Sequence, residues 1–279
     1  MKTLIKVLLI ATALLLIGAI AILYTIYNSD SAEQKALEEK TFDAEITDME
    51  IMMENSRVDF LPNDDGTSRI VLTGNNDAFV LKTDISGGRL FIEVEDRSRI
   101  FIFGFHRSYS LQVYVPEDGL ESLNVDSNNG MIQAKDIQAA ERSLEADNGR
   151  IDLEAIESDI VNIETDNGAI DLTRMDADMK VRSSNGHIIF TDVSGELQAK
   201  ANNGHIELTT DTLDFPVDFE TNNGRIEIRT EIEPANARIQ TSVDNGRIDV
   251  FGRDSRQVSF GNGDVLIRLT TKNGRIFVE

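Results

Sequence analysis

Few side chains in this 279-residue sequence are of kinds that do chemistry. There is no cysteine, which removes disulfides, thiolate metal sites and cysteine nucleophiles together. Histidine occurs only at His106, His187 and His205, too few for a multi-histidine metal centre. A His-Glu-x-x-His pair, a Gly-rich phosphate loop ending in Lys-Ser/Thr and a Gly-x-Ser-x-Gly turn are all absent from the sequence. Carboxylates are abundant: 49 Asp and Glu face 27 Lys and Arg, for a net charge of −22. Two carboxylates across a groove could hydrolyse a glycosidic bond, but a solvated acidic surface accounts for the same residues. That surface repels nucleic acid, whose phosphates demand basic patches. Gly261-Asn262-Gly263-Asp264-Val265 matches one unit of a calcium-binding nonapeptide repeat, and a single copy defines no site. The sequence calls for no cofactor, no metal and no catalytic residue.

One set of residues runs against the acidity. Asn-Gly, a variable residue and then isoleucine recur eight times, and the variable residue is Met131, Arg150, Ala169, His187, His205, Arg225, Arg247 or Arg275. If the copies stack, Arg150, His187, His205, Arg225, Arg247 and Arg275 form a stripe down one edge. Such a stripe could track a repeating anion, such as a wall glycopolymer or a lipid headgroup. The competing reading is an ion-pair lattice. Asp152, Asp171, Glu207, Glu227 and Asp249 stand two positions on, and Asp147, Asp166 and Asp244 just before the Asn. Acids placed there relieve the repulsion of stacked like charges, so the lattice is the default.

The elements that must position this stripe follow from the same repeat. Its asparagines are Asn129, Asn148, Asn167, Asn185, Asn203, Asn223, Asn245 and Asn273, spaced 19, 19, 18, 18, 20, 22 and 28 residues apart. Two residues after each Gly stands Ile; four before each Asn stand mostly apolar residues, and two before it small or β-branched ones. That is period two on each side of the Gly, with the phase slipped by one. A bulge with Gly at positive φ would produce the slip. Asn-Gly between alternating runs is also a hairpin signal. Antiparallel hairpins, however, do not need one residue class in one column every coil, whereas stacked parallel strands do. The fold class expected is therefore all-β, a single-stranded parallel β-helix or β-solenoid, with right-handed crossovers as the prior. Eight coils would extend roughly 40 Å. The Asn column is expected to form a ladder at the corner, its amides bonding along the stack and to turn backbone.

Residues 7–27, VLLIATALLLIGAIAILYTIY, carry no charge and are long enough to span a bilayer as a helix. The apolar run continues past the small residues Ala19 and Ala21, which argues for an uncleaved anchor over a signal peptide. Lys2 and Lys6 precede it and Asp30, Glu33, Glu38 and Glu39 follow, placing the N-terminus inside and the C-terminal domain outside the cytoplasmic membrane. The organisation expected is a cytoplasmic tail (1–6), a membrane helix (7–27), a polar stalk (28–40) and a β-solenoid (41–279). Within the last, 41–116 supplies N-terminal strands and a cap, and 117–279 the repeats. The aromatic run Ile100 to Arg107 reads as part of that cap or as a hairpin tip that touches a partner or the membrane.

The Val-Tyr-Val-Pro element at 113–116, the recurring Ser/Thr/Asp-x-Asn-Gly-x-Ile, and Gly261-x-Gly263-x-Val265 before Asn273-Gly274-x-Ile276 resemble a bacterial family of candidate adhesins of unknown function with β-strand repeats. The resemblance covers about residues 41–279. It implies the solenoid and, for some members, a membrane anchor and association with cell-envelope stress systems; it supplies no catalytic residues. The function expected is a non-enzymatic, membrane-anchored envelope protein offering a binding, adhesion or scaffolding surface. Its partners would be the lipid bilayer through residues 7–27 and a cell-wall polymer or membrane protein. The alternatives are an accessory, assembly or sensor component of an envelope-stress response, and a carbohydrate-active β-helix enzyme.

Overall fold

The computed structural model describes residues 35–97, 108–116 and 119–279. The expected tail and membrane helix, and the aromatic run 100–107, lie outside these residues. No helix among the described residues is long and apolar enough to cross a membrane. The strands are β1 (Lys35–Phe42), β2 (Asp48–Met53), β3 (Ser56–Asn63), β4 (Ser68–Gly74), β5 (Phe79–Ser86), β6 (Arg89–Asp96) and β7 (Tyr109–Pro116). They continue with β8 (Leu120–Lys135), β9 (Ala139–Thr191), β10 (Leu197–Thr210), β11 (Val217–Thr230), β12 (Ala237–Val250), β13 (Gln257–Ser259) and β14 (Val265–Val278). Residues 35–40 were expected in a spacer, but they belong to β1, which pairs antiparallel with β4.

From β8 to β11 each repeat stacks on the next in parallel, Asn on Asn and Ile on Ile: Asn129↔Asn148 and Ile132↔Ile151, then Asn185↔Asn203 and Ile188↔Ile206, and Asn203↔Asn223 and Ile206↔Ile226. β9 alone winds through three repeats. The first coil is built from β2 and β3, which lie parallel to the two halves of β8. The inward columns close a continuous apolar interior. Phe190, in the half-coil after Gly186, stacks on Phe219, in the half-coil before Gly224 two repeats on, with ring centroids 5.4 Å apart, so the two half-coil columns face each other across that interior. Beyond the first coil the halves part: β6 and β5 extend one, and β7, β4 and β1 extend the other. This splayed end serves as the cap that a solenoid needs.

The glycine at each phase slip is required for a different reason from the one expected. Gly149, Gly168, Gly186, Gly224 and Gly274 do not adopt a left-handed φ, and Gly130, Gly204 and Gly246, at 158°, 159° and 157°, stand at its extended edge. What excludes a side chain is the neighbouring coil. A Cβ on Gly168 would lie 1.6 Å from the Gly149 carbonyl oxygen, and one on Gly186 1.7 Å from that of Gly168. Left-handed backbone is found at the opposite corner instead, at Asp136, Ala155, Arg174 and Asp192, with φ of 52–54°. Each of these is followed by a buried apolar residue: Ile137, Ile156, Met175 and Val193.

The last coils do not stack in chain order. β14 lies between β11 and β12, paired in parallel with both, and β12 forms the final full rung. β13 covers only Arg238, Ile239 and Gln240 of its outer edge. The long spacings before the last two repeats are the loops that carry the chain out to β12 and back.

Candidate functional site

The variable residues after each Gly form one outward column, as stacking requires. Its spatial order is Met131, Arg150, Ala169, His187, His205, Arg225, Arg275, Arg247, with the last two exchanged relative to the chain. Arg57, in register with Met131, extends it by one coil. The asparagines make a second column beside it, exposed at the corner. Nδ2 of Asn167, Asn185, Asn203, Asn223 and Asn273 donates to Oδ1 of Asn148, Asn167, Asn185, Asn203 and Asn223, at 2.8–3.0 Å. Asn129 donates likewise to Asn55 at 2.9 Å and Asn245 to Asn273 at 3.0 Å. These bonds run along the stack. The first coil departs from the repeat, reading Asn55-Ser56-Arg57-Val58 with a small residue in place of Gly and Val in place of Ile, so its only signal in the sequence is Asn followed by a small residue, a base and a β-branched residue.

Much of the basic column is neutralised where it stands. Arg57 Nε lies 2.8 Å from Asp59, and Arg150 Nη2 lies 2.8 Å from Asp171 and 3.8 Å from Asp152. Arg225 Nε lies 2.9 Å from Glu227. Arg229, two residues further on the same face, reaches Glu207, Glu227 and Glu279. Over these coils the column is an ion-pair lattice. The His187 and His205 rings lie against each other with centroids 3.9 Å apart and planes tilted by 49°. Burial, then His187 and Arg225, lower the His205 pKa. Arg275 and Arg247 have no ion pair among the described residues.

Other candidates resolve differently. Asp264, in the Gly-Asn-Gly-Asp stretch, pins a loop: it accepts from Asn236 Nδ2 at 2.7 Å while its amide donates to Asn236 Oδ1 at 3.2 Å. Among the described residues no three His, Asp or Glu side chains group as metal ligands. A groove of about 770 Å³ runs along the opposite corner and carries Glu157, Asp159, Asp176 and Asp178 beside the exposed Ile160. Glu145 has a raised pKa, from burial first and then from the charges of Asp126, Glu164, Asp147 and Asp166. It is one rung of a like-charged outward column, Asp126 on one coil and Glu164 on another.

A parallel stack in which each coil contacts only its neighbours is the architecture of a repeat protein. The chain belongs to the Toastrack family DUF4097, whose model matches residues 38–279. A Clostridium sporogenes structure described as a candidate cell adhesion protein is 8% identical, covering 88% of this chain and 99% of its own, with a TM-score of 0.31. A candidate adhesin from Bacteroides fragilis is 11% identical, covering 87% of this chain and 97% of its own, with a TM-score of 0.32. No curated protein matches the chain.

Proposed function

We propose that the protein is a non-enzymatic binding element of the bacterial cell envelope. In this reading it is anchored in the cytoplasmic membrane by residues 7–27 and holds its solenoid on the outer side. The observation that carries the reading is the outward basic column, held at one residue per coil on an otherwise acidic stack. A long apolar stretch behind two lysines supports the anchor and its orientation. Membership of a family of repetitive β proteins supports a display role, and the pairing of carboxylates with arginines supports a structural use for many acids.

The full chain, kept in solution with mild detergent, would be sedimented with purified cell-wall sacculi, with and without their anionic polymers. Pelleting that needs the polymers and weakens with salt is the expected result, because exposed charges are screened within about 8 Å at physiological ionic strength. No pelleting under any condition would remove the wall-ligand reading. Crosslinks to membrane proteins that disappear when residues 7–27 are exchanged would then establish the accessory role in an envelope-stress response.

A further inference from the structure

Charge is unevenly distributed along the chain. Residues 225–279 hold nine basic and eight acidic residues, whereas residues 1–224 hold 18 basic and 41 acidic. The first group supplies the far end of the stack: β14, β12, β13 and the end of β11. Arg225, Arg275 and Arg247 stand there in register on three successive rungs, about 4.8 Å apart at ordinary strand spacing.

The acids that neutralise the column elsewhere are occupied or missing here. Glu227 is taken by Arg225 and Arg229. The Asp249 carboxylate accepts from the Gly252 amide at 2.9 Å. The place between these two acids is filled by Phe277, in register with both. Arg275 and Arg247 thus stand as adjacent like charges with no ion pair among the described residues, an arrangement that costs stability. A guanidinium grips oxyanions with two parallel N–H donors. Two guanidinium groups one rung apart call for two negative charges within about 5 Å, which a phosphate monoester or neighbouring phosphodiesters supply. Phe277, on the same face as Arg275, offers a ring for the carbon skeleton of such a ligand.

We propose that Arg225, Arg275 and Arg247, with Phe277 beside them, form a binding site for a phosphate-bearing ligand at the end of the stack. The proposal rests on the binding-surface reading above and assigns its ligand chemistry and place. Sodium tripolyphosphate is the defined probe, titrated calorimetrically into the full chain in mild detergent. Saturable binding is expected, weakened at least tenfold in the Arg275→Ala/Arg247→Ala double variant. Arg182→Ala, on another face, should leave binding unchanged, and circular dichroism would verify that both variants are folded. Absence of saturable binding, or equal binding by the folded double variant, overturns the site.

Two further arms separate the sources of the phosphate. Sacculi carrying phosphate polymers and vesicles containing phosphatidylglycerol are compared with sacculi stripped of polymer and with phosphatidylcholine vesicles. Sacculus binding that is equal in the parent and double variant overturns this site but leaves the wall-binding function standing. Tripolyphosphate binding without sacculus or vesicle binding supports the site and removes that function.

Discussion

At the corner of each coil the glycine is selected by a contact, not by a torsion angle. The Gly186 α-carbon faces the Gly168 carbonyl so closely that a methyl would sit 1.7 Å from its oxygen. Gly186→Ala should therefore force two coils apart and cost at least about 3 kcal/mol, seen as a fall of about 6–12 °C in melting temperature. Gly66, by contrast, has φ of 74° and open space around it. Gly66→Asn should cost less than about 1 kcal/mol, since Asn tolerates the left-handed region. A smaller loss at Gly186 than at Gly66 would refute the contact explanation. The sequence showed that the glycine column mattered but not why, because a torsional requirement and a steric one both read as Gly. At the histidine pair the relevant variable is pH. His205 has a folded pKa below its ordinary value, so the unfolded chain binds the proton more readily. Its neutral form supports the fold above about pH 6.5, and stability falls as the pH drops through that value. His205→Gln should flatten the melting profile between about pH 7.5 and 5.5; an unchanged slope would show that His205 does not govern it.

Among the elements, the stacked repeats were legible because eight isoleucines and eight asparagines fell into columns. The opposite corner was not, since Ala155 and Arg174 take left-handed φ without being residues that announce it. Ordinary L-residues pay about 1–2 kcal/mol there, and the buried Ile156 and Met175 that follow tie each corner into the core. A second element-scale surprise is Arg142, which points inward in register with Leu123 and is 1% exposed. Its Nη2 donates to the Ile137 carbonyl at 2.9 Å, while Nε and Nη1 have no hydrogen-bond partner among the described residues. Burial alone lowers its pKa to about 10, so at neutral pH it remains a charge inside an apolar stack. Period-two reading assigns the position to the core but cannot say that a cation fills it. Replacing a buried charge with an apolar side chain of similar reach is often stabilising. Arg142→Met should raise stability by about 1–2 kcal/mol, measured by chemical denaturation. A loss of stability would mean that the guanidinium has a partner worth more than its desolvation.

On the scale of the whole molecule, the exchange of the last two repeats was not legible in the residues. Asp244-Asn245-Gly246-Arg247-Ile248 and Lys272-Asn273-Gly274-Arg275-Ile276 present nearly the same inward pattern, so that pattern alone does not assign either to its rung. The exchange makes β12 dependent on β14. Leu269 is fully buried at the centre of β14, in register with Phe219 of β11 and Thr241 of β12. Leu269→Pro should break that strand and release β12 and β13 with it. Hydrogen exchange would then lose protection over residues 237–278 while β8 to β10 keep theirs. Protection lost only within β14 would show that β12 holds independently. The exchange also bears on how the chain is made. β12 leaves the ribosome with no neighbour to receive it, and Val250 waits for Val278 to be added 28 residues later. At ordinary rates of synthesis that interval lasts about 1–6 s. During those seconds a nascent strand with two open edges is exposed to pairing with other chains.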